Sequence, residues 1–263
     1  MSGKKQKSSN LKLAGIFLLL VFGLISLSII FKIFLIIKDS KFDGSNRFTV
    51  GFTAKNYSKI ESFSPKDKTI SIIIVDGNLR KQTLSDFLEV PVDVNVKTDE
   101  ENNLSVDTDL LNSLFTLGRQ SNLNTFDAFK LLLFSKLSGA KIMQKVLTTN
   151  SSSGQVQDAV SNFLIDPQVI NENTNIEVIN ATDVYGLGSR FATLITNMGG
   201  NVILVSTSDK TSKNSKVIYY QTKSYTAEKI GEVLKIPLEQ TNKKSVSDVI
   251  IIIGEDKIQA QEF

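Results

Sequence analysis

The 263-residue chain has no cysteine, no histidine and no tryptophan. Without Cys and His it cannot build Ser-His-Asp or Cys-His nucleophilic sites, zinc ribbons, disulfide frameworks or CxxC redox centres. Proline is scarce, at four residues. Arginine is equally scarce: Arg47, Arg80, Arg119 and Arg190 are the whole set. Any chemistry would fall to Asp, Glu, Lys, Ser, Thr, Tyr and those few guanidinium groups. No metal-ligating cluster and no cofactor fingerprint stands out. Asp76 with Asp93 or Asp99 could hold a hard cation, but these positions read better as solvated turns.

Hydrophobicity is concentrated instead. Leu13 to Phe31 runs without a charge or a proline, and after Lys32 the apolar run resumes through Ile37. A helix of that length covers roughly 29 Å, about the hydrocarbon thickness of a bilayer. Lys12 and Lys32 bracket the run and can snorkel to the headgroups. A cleaved signal peptide is the competing reading. Its small-x-small site would be Ser26-Leu27-Ser28, and cleavage there would leave Ile29 to Ile37 as an apolar N-terminus. Residues 13–37 therefore read as a retained transmembrane anchor. Residues 1–12 carry Lys4, Lys5, Lys7 and Lys12 with no acid, so the positive-inside rule puts this tail in the cytoplasm and the rest outside. The chain holds 30 basic and 27 acidic side chains, and four of the basic ones sit in that tail. The body is close to neutral, which argues against a nucleic-acid footprint.

Residues 38–46 read as a short polar stalk. Phe48, Val50 and Phe52 alternate with Thr49, Gly51 and Thr53, a half-buried strand. Ser64-Pro65-Lys66-Asp67 is a turn. Thr69 to Val75, rich in β-branched residues, predicts a central strand buried on both faces. Val92, Val94 and Val96 alternate again. The period then changes. Asp107 or Thr108 can cap a helix carrying Leu110, Leu111, Leu114 and Phe115, ended by Gly118. Asn124 or Thr125 can cap a second, with Phe126, Phe129, Leu132, Leu133 and Leu137 on one face. Ile142, Val146 and Leu147 suggest a third. Residues 46–147 thus form one small α/β domain.

Thr148 to Gly154 has linker composition, and residues 148–173 are expected to join two domains. They hold one helix carrying Val156, Val160, Phe163 and Leu164, and then an extended approach from Asp166-Pro167. Residues 174–257 alternate cleanly. Strands are expected at Ile176–Ile179, Val202–Val205, Val217–Tyr220 and Val249–Ile253. One helix carries Phe191, Leu194, Ile195 and Met198, and another carries Ala227, Ile230, Val233 and Leu234. The order is β-α-β-β-α-β. The fold class is α/β: a single transmembrane helix followed by two small α/β domains.

The last domain resembles the LytR C-terminal domain of bacterial envelope proteins. Ile176-Glu177-Val178-Ile179-Asn180-Ala181-Thr182 is similar to that family's strand and Asn-small-Thr turn. Gly186-Leu187-Gly188-Ser189-Arg190, Met198-Gly199-Gly200-Asn201-Val202 and Val217-Ile218-Tyr219-Tyr220 follow in order. Thr226-Ala227-Glu228-Lys229-Ile230 resembles the second helix, and Asp248 to Asp256 the closing strand. This module often follows a LytR-CpsA-Psr domain, which attaches lipid-linked glycopolymers to the wall. Glu61 to Ile70 and Val90-Pro91-Val92-Asp93 are similar to parts of that domain. The family's Pro-Arg-Asp strand end, however, is replaced here by Ile74-Val75-Asp76-Gly77. Asp76 and Arg80 lie near but out of register, which is the pattern of a reduced relative.

The resemblance implies a membrane-anchored, extracytoplasmic envelope protein with a non-catalytic wall-binding or scaffolding role. Its partners would be the lipid bilayer, peptidoglycan or an anionic wall polymer, and other envelope proteins. The alternatives are a LytR-CpsA-Psr-type phosphotransferase and a protein–protein adaptor that does not bind glycan. Gly186-Leu187-Gly188 follows a strand and opens a helix. Phe191 stands at the third glycine position of a dinucleotide fingerprint, so a tight turn is the plainer reading. Backbone amides at Gly188 and Ser189, with Arg190 nearby, could still take a carboxylate or phosphate. The candidate ligand-binding residues are Asn180, Gly186, Gly188, Ser189 and Arg190; no catalytic residue is assigned. Lys210, Lys213 and Lys216 form a solvated loop or a patch for anionic polymer. Asn56-Tyr57-Ser58 and Asn180-Ala181-Thr182 read as turn chemistry. Of Tyr219 and Tyr220, one ring is expected in the core and the other is free to stack on sugar.

Overall fold

A computed structural model describes residues 3–79, 82–97, 106, 110–111 and 122–258. Helix α1 (Gly3–Lys38) carries the apolar run. Its segment Gly15–Lys38 is long and apolar enough to cross a membrane. The stalk expected after it is folded. Phe42 is 3% exposed and joins the core of the next domain, and Asp43 accepts from the amides of Ser45 and Asn46.

The first sheet has strand order β4-β1-β2-β3-β5. Its strands are β1 (Phe48–Thr53), β2 (Tyr57–Ser64), β3 (Thr69–Asp76), β4 (Val94–Lys97) and β5 (Lys141–Thr148). Strand β3 is buried along both faces, as its composition predicts. The middle position nevertheless belongs to β2, which has no apolar alternation. Lys59 and Glu61 face inward from β2 and pair at 2.8 Å with no exposed surface. Helix α2 (Leu84–Leu88) starts at a Thr83/Asp86 capping box. Helix α3 (Thr125–Leu137) covers one face of the sheet, through Ala128 and Leu131. On the other face lie α2 and α4 (Ser153–Phe163), with Leu84, Leu88, Ala159 and Val160 against Ile60, Ile73 and Val75.

Four expectations need correction here. Residues 141–148 are a strand, not a helix. They pair in parallel with β3 over its whole length, and β5 shows both faces because it is the sheet edge. The apolar face expected on α3 is not its buried face, since Phe129, Leu133 and Leu137 are exposed. Residues 148–173 are not a free linker, because α4 belongs to the first core. Asp166-Pro167 opens helix α5 (Pro167–Glu172): Asp166 caps the Gln168 amide at 2.9 Å and proline takes the first turn, where its missing N–H costs nothing. The helix expected at Leu110–Phe115 lies largely outside the described residues; Leu110 and Leu111 within it are helical, as is Val106 before the expected cap.

The second sheet has order β7-β6-β10-β8-β9. Its elements are β6 (Asn175–Asn180), α6 (Leu187–Asn197), β7 (Asn201–Thr207), β8 (Lys216–Tyr220), α7 (Tyr225–Leu234), β9 (Leu238–Thr241) and β10 (Val249–Ile253). Strand β10 is central. It runs parallel to β6 and antiparallel to β8. Strand β9 is an addition to the expected order, paired in parallel with β8. Both helices pack on one face, where Phe191, Ile195, Ile230 and Leu234 meet Val178, Val217 and Ile251. The other face presents half-buried Ile179, Ile218, Ile250 and Ile252.

The two domains meet through the helices of the second. Lys229 of α7 bonds Asp93 at 2.7 Å, and both side chains are at least nine-tenths buried. Asn197 of α6 donates to the Glu89 carbonyl at 2.8 Å. Within the second domain, where Val169 of α5 joins the core, Glu172 accepts from the amides of Tyr225 and Thr226, and the Tyr225 hydroxyl donates to Asp166 at 2.8 Å.

Candidate ligand-binding site

The carboxyl ends of β6 and β7 and the start of α6 enclose an open cleft of about 660 Å³. In open α/β sheets this end of the strands is where ligands bind. Asn180, the last residue of β6, builds the cleft's frame. Its Oδ1 accepts from the Thr182 amide at 3.1 Å and the Thr182 hydroxyl at 2.7 Å. Its Nδ2 donates to the Val184 carbonyl at 2.9 Å. This is the turn chemistry expected of Asn180-Ala181-Thr182. With Asn180 and Thr182 tied inward, the chain throws Val184 and Tyr185 outward. Tyr185 is fully exposed, at 102%.

Gly186 then reverses the chain with φ +80°, a left-handed geometry that favours glycine. Helix α6 follows with no side-chain cap. Its first-turn amides therefore keep their hydrogen-bonding capacity, at the helix end that carries a partial positive charge. Gly188 allows the helix to lie directly on the sheet: a Cβ there would stand 3.2 Å from that of Asn180 and 3.4 Å from Cγ1 of Val205. Ser206, Thr207 and Ser208 complete the lining. The lining is rich in hydroxyls and amides, and Asp183 is the acid among them.

Four of the five residues singled out in the sequence, Asn180, Gly186, Gly188 and Ser189, come together in this cleft. Arg190 does not. Its guanidinium turns to the first domain and pairs with Asp86. Tyr185 carries no sequence signal beyond an aromatic residue in a polar turn, so sequence reasoning missed it. Tyr219 packs on the core and Tyr220 is half-buried on the other face. Lys216 pairs with Glu239 at 2.8 Å, while Lys210 and Lys213 are exposed.

The carboxylates considered for a cation are not assembled. Asp76 ends β3 at the level of Tyr57, whereas Asp93 lies beside Thr49, towards the opposite end of the sheet. Asp99 and Arg80 lie outside the described residues. Among the described residues no group of three or more acidic side chains could hold a metal ion.

Residues 173–256 match the family model LytR_C, described as LytR cell envelope-related transcriptional attenuator. Comparisons with curated proteins and with solved structures gave no match. The match runs from just before β6 into the 3₁₀ turn at Glu255–Lys257, so it contains the cleft and leaves the first domain outside. Residues 173–256 are a LytR_C domain, and that domain marks the chain as a protein associated with the cell envelope.

Proposed function

We propose that this protein is a single-pass membrane protein that holds its two α/β domains outside the bilayer and uses the LytR_C cleft to bind wall glycan. The observation that carries this reading is the rim. An unsupported tyrosine, fully in water, stands beside a cleft of hydroxyl and amide groups. An aromatic ring offers an apolar face with a polar tip, which suits the CH face of a sugar ring. The Ser and Thr hydroxyls and the open helix amides suit ring hydroxyls and acetamido carbonyls, and Asp183 can accept from a sugar hydroxyl. The same carboxylate weighs against a polyphosphate, so peptidoglycan fits better than an anionic polymer. Co-sedimentation of residues 39–263 with purified peptidoglycan tests the reading. Saturable binding is expected; no binding to peptidoglycan or to wall polymer would refute it.

The role is read as binding rather than catalysis. Transfer from a polyprenyl pyrophosphate needs several cations around the developing charge. Arg47 is instead bonded to Ser62 and the Phe163 carbonyl, each at 2.9 Å. Arg190 is paired with Asp86, and Arg80 and Arg119 lie outside the described residues. Metal-dependent turnover of a lipid-linked pyrophosphate by residues 39–263 would overturn this. One observation favours the adaptor reading as a second possibility. The outer face of the second sheet presents Ile179, Ile218, Ile250 and Ile252, with no helix over it among the described residues.

A further inference from the structure

Helix α3 is apolar on both sides. Ala128 and Leu131 are buried against the first sheet, while Phe129, Leu133 and Leu137 stand 47%, 40% and 77% exposed. At 100° per residue these three, with half-buried Phe126, occupy the face opposite the core. A helix that is apolar all round belongs inside a protein or in contact with lipid. Among the described residues no protein segment covers this face.

The position of α3 says what does. Its N-cap, Asn124, donates from Nδ2 to the Ile36 carbonyl in the last turn of α1, at 2.8 Å. One turn on, buried Asp127 accepts from the Lys41 and Phe42 amides and from the Ser40 hydroxyl. Lys130 donates to Ser40 and to the Phe42 carbonyl, and stands 5.4 Å over the Phe42 ring. The first two turns of α3 are thus clamped to the chain as it leaves the apolar run. Ile142 and Val146 of β5, also exposed, lie in register with Ile70 and Ile74 of the core that α3 packs on. They extend the apolar surface to the sheet edge. Lys136 of α3 is exposed beside it, as suits anionic headgroups.

We infer that the outer face of α3 lies on the bilayer surface, so that the first domain is seated on the membrane rather than held away on a stalk. This rests on the reading of α1 as a membrane anchor. An interfacial helix of this kind buries its apolar side about 5–10 Å into the boundary between headgroups and acyl chains. Lys136 keeps its ammonium group in the headgroup layer while its stem lies along the apolar surface.

The chain lacks cysteine, so single labels can be placed at will. The full-length protein, reconstituted in phosphatidylglycerol–phosphatidylcholine vesicles, carries an environment-sensitive fluorophore through Phe129→Cys, Leu133→Cys or Leu137→Cys. Leu27→Cys, in the middle of the apolar run, reports the anchor, and Ser161→Cys on α4 reports water on the far side of the sheet. Lipid-borne quenchers at shallow and deep positions give the depth. The α3 labels are expected to be quenched by the shallow quencher, the Leu27→Cys label by the deep one and the Ser161→Cys label by neither. Quenching at Leu27→Cys with α3 labels behaving like Ser161→Cys would overturn the inference and leave the anchor standing. No quenching at Leu27→Cys would remove the anchor and the inference together. Excimer emission from pyrene on Leu133→Cys would overturn it in favour of a contact between two copies.

Discussion

The ion pair between Lys229 and Asp93 joins the two domains, and removing its positive half is the sharpest test of how they pack. Lys229→Met keeps the length and volume of the side chain while removing the charge. The Nζ–Oδ1 separation is 2.7 Å, and the side chains are 10% and 6% exposed. With an effective dielectric of about 20 the Coulomb attraction is about 6 kcal/mol, much of which offsets desolvation. Stranding Asp93 as an unpaired buried charge is expected to cost about 3–5 kcal/mol. Asp93 also accepts from the Thr49 amide at 2.8 Å. Adding Asp93→Asn to Lys229→Met neutralises the stranded charge, leaves an acceptor for Thr49, and should restore at least about 2 kcal/mol. Urea unfolding of residues 39–263 followed by circular dichroism reads both variants. A loss under about 1 kcal/mol in the single variant, or no recovery in the double, would refute the reasoning. The pair also has a pH signature. Burial works against the ammonium, but the charge and hydrogen bond of Asp93, helped by Glu232 and Asp166, raise Lys229 above the ordinary lysine value. Its contribution is complete below the unfolded pKa of about 10.4 and is lost as pH climbs through the higher folded value. Lys229→Met should therefore flatten the alkaline limb of the stability profile.

Ile251 has no exposed surface at the centre of the second sheet, so Ile251→Ala should cost about 2–5 kcal/mol and Ile251→Val about 0.5–1.5 in the same unfolding assay. Gly186→Ala meets no neighbour within 4 Å, so its cost is that of left-handed backbone alone, about 1–2 kcal/mol. A loss beyond the core variants would mean the turn is packed more tightly than described. Asp127→Ala leaves the Lys41 and Phe42 amides without their acceptor and should cost about 1–3 kcal/mol. Hydrogen exchange at those two amides should speed up, while exchange across the second sheet stays unchanged.

The second domain was legible in the sequence because each of its longer elements keeps one period. Strand β10 is a run of Val and Ile, and α6 places Phe191, Leu194, Ile195 and Met198 on one stripe. Strand β9 was not legible. Leu238-Glu239-Gln240-Thr241 has no pattern and is a strand only because it pairs with β8. The first domain hides more. Strand β2 buries Lys59 and Glu61 as a pair, so its polar sequence disguises the most central strand. Ile142, Val146 and Leu147 fit helical spacing equally well, and only pairing with β3 makes the segment a strand. In the cleft, glycine and asparagine announce a special backbone, which made Asn180, Gly186 and Gly188 readable. Arg190 adjoins them in sequence, but its partner Asp86 lies in the other domain, and no local pattern encodes such a contact.

The central claim is that the LytR_C cleft engages wall glycan through its exposed rim, and Tyr185→Ala tests it most directly. The ring is fully exposed, so removing it should leave the unfolding midpoint of residues 39–263 where it was. Co-sedimentation with purified peptidoglycan should weaken at least about tenfold, equivalent to roughly 1.4 kcal/mol. Peptidoglycan binding equal to that of the unaltered protein would contradict the account.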